Sequence, residues 1–562
     1  MSQGKVHLYR MAEIMFRKGI QHVVVSPGSR NAPAIIQFSR NGKLKLTSIV
    51  DERSAGFYAL GMALELQQTV ALLCTSGSAA INYGPALSEA FYQKVPLLVV
   101  TADRPVAWID QGDGQTIKQS QIFANFVRKS YQLPQQLNNE TDAWYFDRLV
   151  NEAIDQTRFP AQGPVHLNLP LDEPLYDLEV PHPTQEVRLI EMAETTPILA
   201  PQRMENLAEI WNSTPRKLIL VGQTPPNEHL QEVLLSLADD PSVMVLTETT
   251  SNVSAPLWVG CIDRVIEGLT NKDTNFAPEL LLTLGGAIVS KKIKALLRLM
   301  KPRHHWHVSN DPTEYYLDTY QSMTLTIPMD GLSFLTALSA VAKPLNSFYR
   351  MVWQHRNLER KLEHQRYLDV LPFSDLKVFG LINQHLPPGS QVHLANSTPV
   401  RYAQLFDYDR PLVFRSNRGT SGIDGCISTA AGAASVNPAP ATVISGDIGF
   451  LYDSNALWNA QLAKNLRIVV INNRGGNIFR VLPGPDQYRE MEPFLETAHQ
   501  YDVRGLAGNF GVPYFSASHE VELLEVLPNF YADSGKPALL EIFTPAAESA
   551  EILRNYFKFL KK

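Results

Sequence analysis

The sequence predicts an α/β protein built from three parallel-sheet domains, and three observations support that prediction. The chain has 562 residues, which is too long for a single hydrophobic core of ordinary size. Short runs rich in β-branched residues recur along it, and a turn signal followed by a helical pattern closes each run. The runs are apolar on both faces, as expected of parallel strands covered by helices.

The first third of the chain contains four such predicted strands, at 22–25, 47–50, 70–74 and 97–101. Each runs into a turn with small or charged residues, beginning at Ser26, Asp51, Thr75 and Ala102. Ligands of open α/β sheets bind at the carboxyl ends of the strands, so these turns mark a predicted binding edge.

Two further groups of predicted strands follow. The second group lies at 217–221, 243–246, 280–284 and 305–308, and the third at 392–395, 412–415, 442–445, 467–471 and 539–542. Proline-bearing stretches at 180–201 and 344–365 separate the groups. We therefore predict domains at 1–180, 195–345 and 360–562.

Composition narrows the class of protein. A net charge of −6 argues against a nucleic-acid partner, because contacts to the phosphate backbone call for a basic surface. Only three cysteines are present, and they are far apart, as in a reducing cytoplasm. The first residues lack a basic stretch followed by an apolar core, and no apolar run reaches the roughly 18 residues of a membrane span. We expect a cytoplasmic protein without membrane insertion.

Two strands of the third group end in residues suited to a metal-bound diphosphate. The strand at 442–445 runs into Gly446 and Asp447, and the strand at 467–471 runs into Asn472, Asn473 and a glycine-rich turn with Gly475. One crossover helix fits between them, so both tips reach one edge of a sheet. A carboxylate, an amide oxygen and a backbone carbonyl suit Mg²⁺. Either tip alone would indicate an ordinary turn; the pair predicts a metal–diphosphate site.

This pair of tips resembles the signature of the thiamine-diphosphate enzymes, in which Gly-Asp-Gly precedes Asn-Asn by about one crossover helix. The chain departs from the signature at Ile448, where most members have glycine. The resemblance implies thiamine diphosphate with Mg²⁺ or Mn²⁺, bound by a pyrimidine-binding, a central and a diphosphate-binding domain. It also implies a homodimer or homotetramer, because members bind the two halves of the cofactor on different chains.

The family places a glutamate at a strand end of the first domain, against N1′ of the aminopyrimidine ring, and Glu52 occupies that place. A carboxyl group there exchanges a proton with the ring nitrogen, which is acid–base catalysis relayed through the cofactor. Asp51, Glu52 and Arg53 alone would indicate a charged surface cluster. The metal motif favours the catalytic interpretation.

Further motifs resemble one branch of the family, the synthases of the menaquinone pathway. These motifs are Ser26-Pro27-Gly28-Ser29-Arg30, Thr101-Ala102-Asp103-Arg104-Pro105, Asn396-Ser397 with Arg401, the segment 415–425, and Gly476-Asn477-Ile478-Phe479. The branch decarboxylates 2-oxoglutarate and adds the succinyl carbanion to isochorismate in a 1,4-addition. The match covers the first and third domains; the middle domain matches weakly, mainly near Lys291.

Four arginines in these motifs suit a pair of anionic substrates, because guanidinium groups bind carboxylates bidentately. They are Arg30, Arg104, Arg401 and Arg418, and the resemblance implies Lys291 as a fifth cation. Any one of them alone could be a solvated surface charge.

The resemblance assigns roles to the remaining motif residues. Gln115 would hydrogen-bond a substrate, and Ser29 would support it beside Arg30. Ser397 would contact the diphosphate and Ile423 the bent cofactor, while Ile478 and Phe479 would form an apolar wall. No histidine lies in the motifs near the cofactor, which should preserve the carbanion for carbon–carbon bond formation.

Three alternatives stay open at this point. An acetohydroxyacid synthase or oxo-acid decarboxylase would share the cofactor but act on pyruvate or an aromatic oxo acid. A nicotinamide or flavin dehydrogenase is disfavoured, because no Gly-x-Gly-x-x-Gly follows the early strands. A silent binding protein is disfavoured by Glu52 and the two metal-ligand side chains. The histidines of 304–307 are predicted to be structural, since no carboxylate cluster lies near them in the sequence.

Overall fold

The computed structural model describes residues 5–176, 178, 186–193, 195–481, 484 and 487–561. The chain forms two compact units. The first comprises residues 1–194, 417–438 and 452–466, and the second comprises 195–416, 439–451 and 467–562. Parallel sheets with helices between their strands make up both units, so the predicted α/β class is confirmed.

The first unit contains a six-stranded parallel sheet of order β2-β1-β3-β4-β6-β5. Its strands are β1 (His22–Val25), β2 (Lys45–Ser48), β3 (Val70–Cys74), β4 (Leu97–Asp103), β5 (Ser130–Gln132) and β6 (Val165–Pro170). Its helices are α1 (Val6–Arg17), α2 (Ala32–Asn41), α3 (Glu52–Leu66), α4 (Ser78–Asn82), α5 (Gly84–Gln93), α6 (Glu140–Gln156) and α15 (Cys426–Val436). Every residue of β3, β4 and β6 is buried, as expected of strands covered on both faces.

Helices α3 and α15 of the first unit cross at two glycines. A Cβ atom added at Gly61 would lie 1.9 Å from the carbonyl oxygen of Thr429, and one added at Gly432 would lie 1.9 Å from that of Tyr58. Only glycine permits this backbone-to-backbone approach. The crossing matters for the site because α3 begins at Glu52 and α15 begins three residues after Ile423.

The second unit contains two parallel sheets. The first has five strands in the order β11-β10-β9-β7-β8. Its strands are β7 (Lys217–Val221), β8 (Val243–Thr247), β9 (Leu280–Leu284), β10 (His304–Val308) and β11 (Leu325–Ile327), and its helices are α7 (Pro201–Ser213), α8 (Glu228–Ala238), α9 (Ile262–Val265), α10 (Lys291–Met300) and α11 (Gly331–Ser339).

The other sheet of the second unit has six strands in the order β13-β12-β14-β15-β17-β16. They are β12 (Gln391–Leu394), β13 (Val413–Arg415), β14 (Ala441–Gly446), β15 (Leu466–Asn472), β16 (Tyr514–Ala517) and β17 (Ala538–Phe543). The helices of this region are α12 (Tyr349–Leu368), α13 (Asp375–His385), α14 (Thr398–Ala403), α16 (Asp447–Tyr452), α17 (Ile478–Val481), α18 (Arg504–Asn509), α19 (Glu520–Tyr531) and α20 (Ala546–Leu560). Asn252 joins the two sheets, since its side chain pairs with both backbone groups of Phe414 at 2.7 and 2.9 Å.

All thirteen predicted strands exist, four with the predicted bounds, but β5, β6, β11 and β16 were not predicted. In β6 the buried polar residues His166 and Asn168 interrupt the apolar run, while β5 and β11 have only three residues each. The bounds predicted for the second strand, 47–50, are wrong, because β2 begins at Lys45 and ends at Ser48. Of the predicted linker at 180–201, residues 180–185 and 194 lie outside the described residues. The three domain boundaries stay a prediction.

The histidines of β10 are structural. His305 and His307 are buried, and the hydroxyl of Thr283 lies 3.0 Å from Nε2 of the first and 2.9 Å from Nδ1 of the second. Burial lowers the pKa of His305 to about 4, which keeps it neutral. Across the described ranges no three His, Cys, Asp or Glu side chains group into a metal-binding cluster. Nor does any described helix have the length and apolar character to cross a membrane.

Candidate active site

Strands β14 and β15 are neighbours in the second unit, and their carboxyl ends bring the two predicted motifs together. Asp447 is the first residue of α16, directly after β14, and the glycine-rich turn follows β15. Oδ2 of Asp447 accepts a hydrogen bond from the backbone N–H of Gly475 at 2.9 Å, and its Oδ1 accepts one from the N–H of Ile448 at 2.7 Å. The backbone of the second motif is therefore tied to the carboxylate of the first.

The carboxylate of Asp447 is buried, so a nearby positive charge would favour its ionised form. Burial raises its pKa to about 6, against the opposing effects of the Ile448 N–H and of His499. Nε2 of His499 lies 3.2 Å from its Oδ2. The sequence motifs near the cofactor contain no histidine, but His499, which lies outside the motifs, is placed by the fold beside the predicted metal ligand Asp447. His499 stands 52 positions after Asp447, outside any motif.

Asn473 directly follows β15, and its amide is held by a second buried carboxylate. Its Nδ2 donates to Oδ2 of Asp375 at 3.0 Å, which leaves Oδ1 as the atom available to a cation. Asn472 has a different role, because its Nδ2 donates to Glu541 at 2.7 Å and to the carbonyl of Tyr501 at 3.0 Å. Of the predicted Asn-Asn pair, only Asn473 presents an oxygen to the site.

The donors of this edge fit the implied metal. A carboxylate, an amide oxygen and a backbone carbonyl are hard ligands of the kind Mg²⁺ or Mn²⁺ takes, with phosphate and water completing the coordination. The turn also needs its glycine, since a Cβ atom on Gly475 would lie 2.8 Å from the carbonyl oxygen of Glu496. Gly446 lies at the end of β14, with nothing within 4 Å of where its Cβ would be, so the backbone there is open to a close ligand.

Glu52 lies in the first unit as the first residue of α3, not at a strand end as predicted. Its neighbours serve the structure. Asp51 caps the helix, accepting from Ser54 N–H at 2.9 Å, and Arg53 donates to the carbonyl of Tyr452 at 2.8 Å. Glu52 itself is half-buried, and within the described ranges its carboxylate makes no hydrogen bond or ion pair. Of the predicted charged cluster, Asp51 therefore caps a helix and Arg53 binds a backbone carbonyl, whereas the Glu52 carboxylate has neither of these structural roles.

Two of the predicted arginines line one cavity of about 770 Å³ in the first unit, together with Trp108, Gln111 and Glu173 among others. Arg30 is buried, and it donates to the carbonyl of Leu171 at 2.9 Å and lies 3.3 Å from the carboxylate of Glu173. Arg104 follows β4 and is half-buried; it donates to the carbonyl of Gly114 at 2.9 Å. Ser29 is exposed beside Arg30.

Gln115 lies on the exposed loop that Arg104 contacts, and that loop is anchored by a buried glutamine. Gln119 accepts from the N–H of Gly77 at 2.8 Å and donates to the carbonyl of Ala102 at 3.1 Å. These bonds tie the loop to the carboxyl ends of β3 and β4. The predicted residue is therefore carried to the predicted binding edge, although it is not part of the cavity lining.

Arg418 and Ile423 lie on the segment before α15, and Glu89 of α5 holds that segment. The fully buried carboxylate of Glu89 accepts from the N–H groups of Gly419 and Thr420 at 2.6 and 2.7 Å, and from the Thr420 hydroxyl at 2.7 Å. Burial raises its pKa, while these bonds and the charge of Arg418 oppose the rise. Sequence reasoning did not find Glu89, since it lies about 330 residues before the segment it holds.

The remaining predicted residues lie in the second unit. Ser397 has a φ of +74°, an uncommon conformation for serine that recurs at functional sites, and Arg401 of α14 donates back to its carbonyl. Burial lowers the pKa of Arg401, opposed by the charge of Asp263. Lys291 is exposed as the first residue of α10. Ile478 and Phe479 are the half-buried first residues of α17.

The structure therefore sorts the predicted residues into two sets, one in each unit. The first unit carries Ser29, Arg30, Glu52, Arg104, Gln115, Arg418 and Ile423, and the second carries Lys291, Ser397, Arg401, Gly446, Asp447, Asn473, Gly475, Ile478 and Phe479. Direct contacts join Asp447 to Gly475 and Arg401 to Ser397, and Arg30 and Arg104 share a cavity.

Comparisons with known proteins agree with these motifs. The N-terminal TPP-binding domain of thiamine pyrophosphate enzymes matches residues 9–122, and the C-terminal TPP-binding domain matches residues 397–542. Proteins named 2-succinyl-5-enolpyruvyl-6-hydroxy-3-cyclohexene-1-carboxylate synthase are similar over nearly the whole chain. The one from Christiangramia forsetii is 41% identical, with all of both chains covered. The one from Flavobacterium johnsoniae is 42% identical over 98% of each chain, and the one from Porphyromonas gingivalis is 38% identical over 98% of this chain and 96% of its own.

Proposed function

The chain belongs to the family of the 2-succinyl-5-enolpyruvyl-6-hydroxy-3-cyclohexene-1-carboxylate synthases, which are thiamine pyrophosphate enzymes, and on that premise we propose the reaction and the residues that perform it. The reaction is the decarboxylation of 2-oxoglutarate and the 1,4-addition of the succinyl unit to isochorismate, with release of carbon dioxide, in menaquinone biosynthesis. The observation that supports the proposal most directly is the hydrogen bond from the N–H of Gly475 to Asp447, which joins the two strand-end motifs proposed to hold the metal and the diphosphate.

Thiamine diphosphate, when bound, supplies the carbon nucleophile of the reaction. Asp447, Asn473 and the carbonyl of Gly475 would hold Mg²⁺ or Mn²⁺ and, through it, the diphosphate. Glu52 would exchange a proton with the pyrimidine nitrogen. Its half-buried place at the start of α3, with Asp51 and Arg53 engaged elsewhere, supports that role.

Other residues of the second unit would complete the cofactor site. Ser397 and Gly446 would contact the diphosphate from the ends of β12 and β14, and Ile423 of the first unit would support the bent cofactor. We assign the pyrimidine-binding domain to residues 1–180, the central domain to 195–345 and the diphosphate-binding domain to 360–562.

The substrate carboxylates would be bound by arginines. Arg30 and Arg104 share the cavity of the first unit, and guanidinium groups form charge-assisted, bidentate hydrogen bonds with carboxylates. Lys291, Arg401 and Arg418 would serve the remaining carboxylates. Ser29 and Gln115 would hydrogen-bond the reacting groups, and Ile478 with Phe479 would form an apolar wall.

The active form would be a homodimer or homotetramer with each site between two chains, because family members bind the two halves of the cofactor on different subunits. A cytoplasmic location is part of the proposal. All three cysteines are buried free thiols, as in a reducing compartment.

The reaction itself is the first test. With thiamine diphosphate and Mg²⁺, the purified protein should consume isochorismate only when 2-oxoglutarate is present, and the absorbance of isochorismate reports this directly. No loss of absorbance would contradict the substrate assignment. Turnover of pyruvate under the same conditions would favour another thiamine-diphosphate carboligase or an oxo-acid decarboxylase, which the names of the relatives do not favour.

Glu52→Gln tests the cofactor activation. It keeps the size of the side chain but replaces the carboxyl group with an amide, which cannot act as a general acid or base, so turnover should fall by about 10²-fold or more. Glu65→Gln is the matched control, because Glu65 lies on the same helix, roughly 20 Å away along its axis. We expect the control to keep its activity. Equal activity in both variants would remove Glu52 from the mechanism.

A further inference from the structure

Asp375 is a fully buried carboxylate that no predicted motif contains. It is the first residue of α13, and its exposed fraction is 1%. Oδ1 accepts from the hydroxyl of Thr544 at 2.6 Å, and Oδ2 accepts from Nδ2 of Asn473 at 3.0 Å. Its backbone N–H donates to the hydroxyl of Ser549 at 3.1 Å. Two different partners therefore hold the two carboxylate oxygens.

The bond to Asn473 fixes which end of that amide faces the site. A side-chain amide has an oxygen and an NH₂ group of nearly the same shape, and hydrogen bonding decides between the two orientations. A carboxylate only accepts, so Asp375 binds the NH₂ group and repels the oxygen. Because the pair is buried, the preference is stronger than it would be in water.

We propose that Asp375 is a positioning residue that turns the oxygen of Asn473, and not its nitrogen, toward the divalent cation. The inference rests on the proposed function, because it presumes the metal site. A cation is bound by the amide oxygen and repelled by the NH₂ hydrogens, so the wrong orientation would remove one ligand. Partners that orient a metal ligand typically contribute 10- to 100-fold, as an order of magnitude, to metal affinity.

A purely structural role makes a different prediction. If Asp375 only fastens α13 to the end of β17 through Thr544, breaking either of its two side-chain bonds should affect the protein in the same way. If it orients Asn473, metal binding should depend on one bond and not on the other. Because the two partners bind different oxygens, the bond from Thr544 can be removed while the bond from Asn473 is kept.

The test compares Asp375→Ala with Thr544→Val. The first variant removes the acceptor for both Asn473 and Thr544, whereas the second removes only the bond to Oδ1 and keeps the shape of the threonine. The difference between the two variants therefore reports the bond to Asn473. Isothermal titration calorimetry would measure the binding of thiamine diphosphate as a function of Mg²⁺ concentration, without substrate. We expect the apparent Mg²⁺ affinity to fall by roughly 10- to 100-fold in Asp375→Ala and by less than about threefold in Thr544→Val.

Stability serves as the second readout, since both variants leave a buried polar group without a partner and should unfold at lower urea concentration. Equal Mg²⁺ affinities in wild type and Asp375→Ala, or equal losses in the two variants, would overturn the proposal. If Asp375→Ala does not fold, Asp375→Ser replaces it, because its hydroxyl is too short to reach Asn473. A wild-type protein that binds no thiamine diphosphate with Mg²⁺ would instead contradict the proposed function.

Discussion

The crossing of α3 and α15 gives a sharp prediction for Gly61→Ala. Both helices are buried around the crossing, and the added methyl group would start 1.9 Å from the carbonyl oxygen of Thr429 and 2.7 Å from its carbonyl carbon. Both atoms belong to the backbone of α15, so no side-chain rotation can relieve the overlap. One helix must move.

The magnitude follows from two opposing effects. Bringing the contact to 3.0 Å, the shortest that real Cβ atoms show, requires the backbones to separate by about 1 Å. Overpacking of this kind costs about 1–3 kcal/mol, and the upper end applies because both helices are buried at the crossing. Alanine offsets about 1 kcal/mol through its higher helix propensity. We expect a net loss of about 2 kcal/mol in the free energy of unfolding.

Urea unfolding followed by far-UV circular dichroism measures this loss, and Gly508→Ala is the matched control. Gly508 lies in α18, where nothing is within 4 Å of an added Cβ atom, so that variant should gain about 0.5–1 kcal/mol from propensity alone. The two substitutions are chemically identical and should shift the urea midpoint in opposite directions. Shifts of the same sign would refute the reasoning from close approach.

Three further predictions concern the supports of the site and pH. Glu89→Gln places an NH₂ group against the N–H donors of Gly419 and Thr420, so it should lower the free energy of unfolding by roughly 1–3 kcal/mol. It should also raise KM for the substrates, because the segment that carries Arg418 would shift. An unchanged KM would show that Glu89 does not position Arg418 for substrate binding. Gly475→Ala should weaken Mg²⁺-dependent cofactor binding by about tenfold in a calorimetric titration, because the added Cβ atom would lie only 2.8 Å from the carbonyl oxygen of Glu496 and would displace the turn. Burial lowers the pKa of His166, His364 and His393 from 6.5 to about 3, so these side chains stay neutral in the folded protein while they take up protons in the unfolded chain below pH 6.5. The free energy of unfolding should therefore be highest above pH 6.5 and should fall by about 1.4 kcal/mol per pH unit for each histidine as the pH drops toward 3. Urea midpoints that do not fall between pH 7.5 and pH 5.5 would contradict this prediction.

The sequence predicted the parts of the fold that depend on local pattern. The strands β3, β7 and β9 have the predicted bounds, because short, largely apolar runs between turns are distinctive. Where polar side chains are buried inside a strand, as His166 and Asn168 are in β6, local pattern fails, since their partners come from elsewhere in the chain. His166 is satisfied by Thr101, 65 positions away.

The same distinction applies to the candidate site. Motif residues such as Asp447 and Gly475 were predicted because they follow strands whose ends meet at one edge, and the structure joins them by a 2.9 Å hydrogen bond. Glu52 was predicted by resemblance to lie at the end of a strand, but it is the first residue of helix α3, which Asp51 caps. A cap residue followed by helix formers was the available signal for that boundary.

The residues that hold the motifs could not have been predicted from local sequence. Glu89 contacts Gly419 across 330 positions, and Asp375 contacts Asn473 across 98. Each is a buried carboxylate that accepts hydrogen bonds from groups of a motif, and such a residue looks like an ordinary helix carboxylate in the sequence. A buried acceptor is costly unless its donors are in place. A carboxylate in such a position therefore selects one geometry of the motif over its alternatives. That makes the supporting carboxylates, more than the motif residues themselves, the place where a single substitution should separate binding geometry from chemistry.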